Sequence, residues 1–503
     1  MVRDNHSRAG NGFFNRRRFL KKSTALATGS AMMLAGCGGG DPDENGNGAQ
    51  TEEQTTAQTT GQTTAQTGGV DLSGTKITYW NVFGAQSRAA TRWAQNIVNR
   101  VSARTGAQIE VNYTLPAAFV LEKWRNAFDQ GNHPVVYDSS TALDVFFFNR
   151  DDLTPLSELP AGPGRDTPLD PTIREGIQPL VDIAKSSIFD KYGGDIWEIP
   201  VQFHVFSPFL GRRDHFEQAG LDFESDFPPD DYEHLIDVAT TLQEDGPGDF
   251  GYNIFGDAGD VMDTILPLWP LNRAGPEEGH VLGPDWETVN FDNEVWKQAT
   301  RDYVDIYREH GLSNDNTPNE ADETSVPAIS NGTWSMTQPS YTIHPNLRQT
   351  APDMLEDGTI QWAPSWSFDG NPSGLLSITG SFGITSPPDG ADEEEWRKKQ
   401  MVAVELVNEF LKESNQMEVP ASTGQMPARV DLHDQLESKA HNGISAQLEM
   451  FETTDETFVA HENALFMYYT GTISHFQNAL RGEISPEEAC NRAAADTRDQ
   501  IGL

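Results

Sequence analysis

Residues 75–83 read TKITYWNVF, a β-branched and aromatic run behind a glycine turn, which predicts a buried strand. Over 89–105, Ala90, Trp93, Ile97 and Val101 recur at spacings of three and four, which predicts a helix stopped by Gly106. QIEVNY at 108–113 alternates and predicts a second strand. A helix over 118–129 and the strand PVVYD at 134–138 follow. This alternation of strand and helix predicts an α/β fold with a parallel sheet. Two later helices stand out. Over 292–310, Val295, Ala299, Tyr303, Ile306 and His310 share a face that ends at Gly311. Over 393–413, three glutamates in the first turn suit the positive end of the helix dipole, and Ala403, Leu406, Val407, Phe410 and Leu411 supply the apolar face. Ser485-Pro486-Glu487-Glu488 is a capping box with proline at the first helical position. No shift of composition divides 71–503, as expected of a chain that crosses between two lobes several times.

The first 70 residues follow a different pattern. Arg16 and Arg17 open an R-R-x-F-L-K run that resembles a twin-arginine export signal. The weakly apolar stretch 24–34 falls short of the about 20 residues that span a bilayer, so 1–36 reads as a signal peptide. Leu34-Ala35-Gly36-Cys37 matches a lipobox, which predicts lipid on Cys37. Residues 38–69 hold no Val, Ile, Leu or aromatic residue, so 37–70 reads as a disordered tether. Asp41, Asp43, Asn45, Gly46 and Glu52 satisfy a calcium-loop pattern, but Pro42 interrupts it and no helical pattern flanks it, so it reads as a chance match.

Composition narrows the function. The net charge is −41 over 503 residues, with acids in nearly every segment. No basic stripe exists to replace counterions on a nucleic acid, which excludes that partner. A carboxylate shell of this density fits a saline habitat, such as that of a halophilic archaeon. Cys37 and Cys490 are the two cysteines, so a lipidated Cys37 leaves no disulfide within the chain. A zinc-protease pair fails because Leu465 stands where His461-Glu462 would need a second histidine. G-x-S-x-G and phosphate-cradling glycine loops are absent. Carboxylate pairs of the glycosidase kind carry no signal among 76 acids. Neither metal nor cofactor is expected. Aromatic residues beside Gly, Pro or Ser do stand out: Trp80, Phe83, Trp197, Trp269, Tyr341, Trp362, Trp366, Phe382, Tyr468 and Tyr469. Flat rings in a cleft suit the C–H faces of sugars, while core packing is the plainer role, expected for Trp80 and Trp197.

Several motifs, taken in order, resemble the extracellular solute-binding proteins of ABC transporters, the group that includes maltose-binding proteins. They are ITYWNVFG, GNHPVVYDSS followed by LTPLSEL, DIWEIPVQFHVFSPFLGR (195–212) and GTWSMTQPSY (332–341). LLSITGSFGITSPPD (375–389), VAVELVNEFLKES, TGQMPAR (423–429) and GEISPEEA (482–489) complete the series. Val135 departs from the family's usual aspartate. The resemblance implies two α/β lobes, 71–204 with 373–418 and 205–372 with 419–503, and a ligand cleft between them. It implies ligand contacts from Phe83 to Gln86, from Asp138, Ser139 and Ser140, and from His204, Tyr341, Ser381, Phe382 and Tyr469. Trp269 and Trp366 are added on chemistry alone. Asp138 and His204 would hydrogen-bond the ligand, and Tyr341 and Tyr469 would stack on it. The implied function is capture of a sugar or oligosaccharide by a monomer, lipid-anchored on the outer face of the membrane, for delivery to a permease. The alternative is an anchored polysaccharide hydrolase.

Overall fold

The computed structural model describes residues 70–85, 87–114, 117–140, 144–257, 260–262, 265–366, 371, 374–437, 442–454, 457–464 and 466–503. Arg16, Arg17, Cys37, the tether and Gln86 lie outside these residues. Strand β1 (Lys76–Asn81), helix α1 (Arg88–Thr105), β2 (Gln108–Tyr113), α2 (Ala117–Asp129) and β3 (Val136–Ser139) alternate as the pattern predicts. Ser87 starts α1 by accepting the Ala90 N–H on its hydroxyl at 3.0 Å, and Gly106, at φ 72°, ends it. Trp93, Ile97 and Val101 of α1 are buried, each contributing roughly 1.5–3 kcal/mol.

The chain continues through α3 (Pro171–Ser187), β4 (Glu198–Val205), β5 (Phe209–Arg212), α4 (Tyr232–Asp245), α5 (Glu294–Arg308), β6 (Met336–Thr337) and β7 (Ile360–Ala363). It closes with β8 (Leu376–Ile384), α6 (Glu393–Phe410), β9 (Met426–Pro427), α7 (Asn442–Glu452) and α8 (Pro486–Ile501). Helix α5 stops short of His310 because the N–H groups of Glu309 and His310 both turn onto the Asp305 carbonyl, ahead of Gly311 at φ 61°.

Six strands form a sheet in the order β2-β1-β3-β8-β4-β9, and three form a second in the order β6-β5-β7. The predicted parallel pairing holds for β1 with β2 and with β3. Strand β8 returns from the smaller sheet and enters between β3 and β4, antiparallel to both. The smaller sheet is antiparallel throughout.

The chain leaves the larger sheet through 206–208 and is back in it at Leu376, the first residue of β8. At the outward crossing the side-chain amide of Gln447, on α7, bonds both backbone groups of Val205. It accepts the Val205 N–H at 2.9 Å and donates to the Val205 carbonyl at 2.9 Å. Phe206 N–H donates to Leu375 O at 2.9 Å and ties the two crossings together. A Cβ on Gly374 would lie 2.0 Å from Val205 Cγ1, so only glycine fits there.

Phe382 packs between Tyr79 and Phe410, with ring centroids 5.6 and 5.0 Å away. Trp80 and Trp197 pack against the core but are only half-buried, Trp80 edge-on to Trp124 at 5.1 Å and Trp197 stacked on Phe148 at 6.3 Å. Cys490 is buried on α8, with its Sγ 3.2 Å from the Thr300 hydroxyl of α5. Among the described residues no helix is long and apolar enough to cross a membrane.

Candidate functional site

Sheet register sets Asp138 opposite Phe382 and Ser139 opposite Ser381, so four expected ligand residues lie side by side. Their side chains mostly face inward. Asp138 is 2% exposed and its carboxylate is already engaged. Oδ1 accepts the N–H groups of Val82 (2.7 Å) and Phe83 (3.1 Å), and Oδ2 accepts the Tyr79 hydroxyl and the Asn81 amide. Burial outweighs these bonds and pushes its pKa up to about 6. Phe83 is buried, Ser139 donates to Asp144 at 3.1 Å, Ser381 and Phe382 are buried, and Ser140 is half-buried at the strand end. The turn after β1 sits tightly on this group: a Cβ on Gly84 would fall 1.8 Å from Asn81 Oδ1. That oxygen is buried and has no partner among the described residues.

A second group lies beside the outward crossing. Gln202 and His204 stand two residues apart on β4, where the register against β8 shifts on either side of Gln202. Thr379, the half-exposed residue of β8, donates its hydroxyl proton to Gln425 Oε1 at 2.7 Å. With that proton used, Thr379 accepts from His204 Nδ1–H at 3.4 Å. Burial lowers the His204 pKa to about 3, so the ring is neutral and Nε2 is a bare acceptor. Gln202 accepts the Thr423 hydroxyl on Oε1 at 3.1 Å, which leaves its NH₂ as donor. His204 Nε2 and Gln202 Nε2 are both buried without a partner among the described residues. One acceptor and one donor on neighbouring side chains match a hydroxyl, which gives one proton and receives another.

The smaller sheet brings Tyr341 to this place. A turn at Tyr341–Ile343, capped by Ser340, follows β6 and packs against β4. Tyr341 is fully buried, stacked on His344 at 5.0 Å and edge-on to Trp362 at 5.0 Å. Its hydroxyl and the Trp362 indole N–H lack partners among the described residues. Gly424, between Thr423 and Gln425, meets the same segment, since a Cβ there would lie 2.7 Å from Pro345 Cδ. The Tyr341 turn and the His204 group therefore adjoin. The Ser340 N–H donates to Asp322 Oδ2 at 3.3 Å. Asp322 forms a carboxylate group with Asp260 and Glu323, their oxygens within 4.8 Å.

Trp269 and Trp366 lie elsewhere. They pack on each other at 5.3 Å inside the core of the smaller sheet, and the Trp366 indole donates to Pro229 O at 2.6 Å. The side chain of Tyr469 lies outside the described residues. Sequence reasoning missed Asn81, Gln202, Thr379 and Gln425. The alternation of EIPVQFHV, two polar residues at i and i+2 in an apolar strand, is the signal that could have found Gln202.

No family model matches the sequence, and no curated protein does. Solved structures do match. An ABC transporter solute-binding protein from Thermotoga lettingae TMO, bound with α-D-tagatose, superposes with a TM-score of 0.64 at 18% identity. The match covers 85% of this chain and 99% of that one. The GacH receptor of Streptomyces glaucescens GLA.O, solved unliganded and with acarbose, gives a TM-score of 0.66 at 16% identity, covering 85% and 98%. A solute-binding protein from Agrobacterium vitis S4 with bound D-mannitol gives 0.61 at 14%, covering 85% and 98%. The chain has the mixed α/β fold of the periplasmic solute-binding proteins.

Proposed function

We propose that this protein captures a sugar or oligosaccharide between two lobes and delivers it to an ABC transporter permease. The observation that carries the reading is the neutral donor–acceptor pair of Gln202 and His204 beside Tyr341, a setting for a hydroxyl and not for an ion. The ligands named for the similar structures, tagatose, acarbose and mannitol, support the same chemistry. We take 71–204 with 373–418 as one lobe and 205–372 with 419–503 as the other, with β9 hydrogen-bonded into the first lobe's sheet. Ligand contacts made only when the lobes meet would favour the closed state. Arg16 and Arg17 would direct export, and lipid on Cys37 would hold the monomer at the outer membrane face. No catalysis or cofactor is assigned.

The test is the melting temperature of the full chain in molar salt against mono- and oligosaccharides. A ligand at 100 times its dissociation constant adds about 2.7 kcal/mol. A shift with one sugar and no new reducing ends is the expected result. No shift across the panel sinks the sugar assignment, and release of reducing ends makes the protein a hydrolase.

A further inference from the structure

We infer that Asp138 is a positioning residue: its buried carboxylate holds the turn Val82–Ala85 in place and does not itself touch ligand. The inference rests on the reading above only in calling that turn a ligand loop. Four donors converge on the two oxygens of Asp138, from β1 (Tyr79, Asn81) and from the first amides of the turn (Val82, Phe83). Each oxygen accepts two bonds, so the carboxylate has little capacity left for a ligand hydroxyl. The turn cannot sit elsewhere without losing this. Gly84 rests on Asn81 Oδ1 with no room for a Cβ, and the Gly84 carbonyl accepts the Thr91 hydroxyl of α1. One carboxylate thus fixes the end of β1, the turn and the approach to α1.

The arrangement responds to pH in a definite direction. Asp138 titrates near pH 6 in place and near 3.8 when solvated. Lower pH therefore favours the seated turn over a locally opened one. Tyr79 and Tyr113, held above the ordinary phenol pKa, stay neutral over this range. Asp144 is itself pushed well up by burial and by Glu198.

Amide hydrogen exchange at Val82 and Phe83 in the full chain tests this. After correction for intrinsic rates, protection should rise about tenfold from pH 7.5 to pH 5, while Ile77 and Thr78 within β1 stay level. In Asp138→Ala, which removes both acceptor oxygens, the pH dependence should vanish and protection at the two amides should fall. Sugar affinity should fall with it. Equal protection in wild type and variant would overturn the inference, as would a pH-independent wild type, which needs no variant to fold. A variant with a fully protected turn that has lost the sugar would make Asp138 a ligand contact instead. A wild-type turn that follows pH as stated in a chain that binds no sugar would leave the inference standing and sink the sugar assignment alone.

Discussion

His204 and Asp138 are both buried, and burial moves them in opposite directions. The His204 pKa, about 3 against an ordinary 6.5, means that its contribution to stability is present above pH 6.5 and is lost as pH falls toward 3. The Asp138 pKa, about 6 against 3.8, means a contribution present below pH 3.8 and lost as pH rises through 6. Each shift is worth about 1.4 kcal/mol per pH unit in its window, so between pH 6 and 4 the two largely cancel. His204→Leu removes one side of the balance. The variant should gain on wild type by about 1.4 kcal/mol per unit as pH drops from 6 to 4, read from urea midpoints. Parallel pH curves would refute it. Neither behaviour was legible in the sequence, which marked both residues as polar groups at strand ends. Whether such a group meets ligand or closes on its own backbone depends on the turn 55 residues earlier. Phe382 has the same history: an aromatic beside glycine that β8 buries, because helix α6 covers that face with Phe410.

Helices and the parallel strand trio were legible because their signals are local: caps, spacing and stop glycines. The motif at 375–389 marks the place of β8, but not its antiparallel entry between β3 and β4, since its partners lie more than 170 residues away. Strands β6 and β9 are two residues long and have no periodicity to read. Gln447 shows the same limit. It sits on α7 as an ordinary helical glutamine, yet it supplies both hydrogen bonds that Val205 would otherwise take from a neighbouring strand. Gln447→Leu leaves a buried N–H and a buried carbonyl without partners, at a cost of roughly 1–3 kcal/mol for each group. We expect a loss of a few kcal/mol in urea unfolding. A loss under 0.5 kcal/mol, the range of an ordinary surface change, would show that the crossing does not depend on this residue.

At the scale of the molecule, charge dominates. The excess of 76 acids over 35 basic residues repels itself across the surface. The Debye length shrinks from ~10 Å at 0.1 M salt to ~3 Å at 1 M. The melting temperature should therefore climb with KCl over that range. The ion pairs of Arg104 with Glu405 and Glu409, which join α1 to α6, should keep their value because both acids are nearly buried. Although burial raises its pKa, bonds from Lys412 and Arg104 hold Glu409 down at about 2. A melting temperature indifferent to salt would mean that the acids are paired and not merely screened. Cys490 gives this experiment a clock. Its thiol is fully buried between α5 and α8, and burial lifts its pKa to about 11, so it is inert to alkylating reagents while those helices stay together. In a chain with Cys37→Ala it is the sole sulfhydryl. The rate at which it is labelled would then time the parting of the two helices, in any salt, without a dye or an added probe.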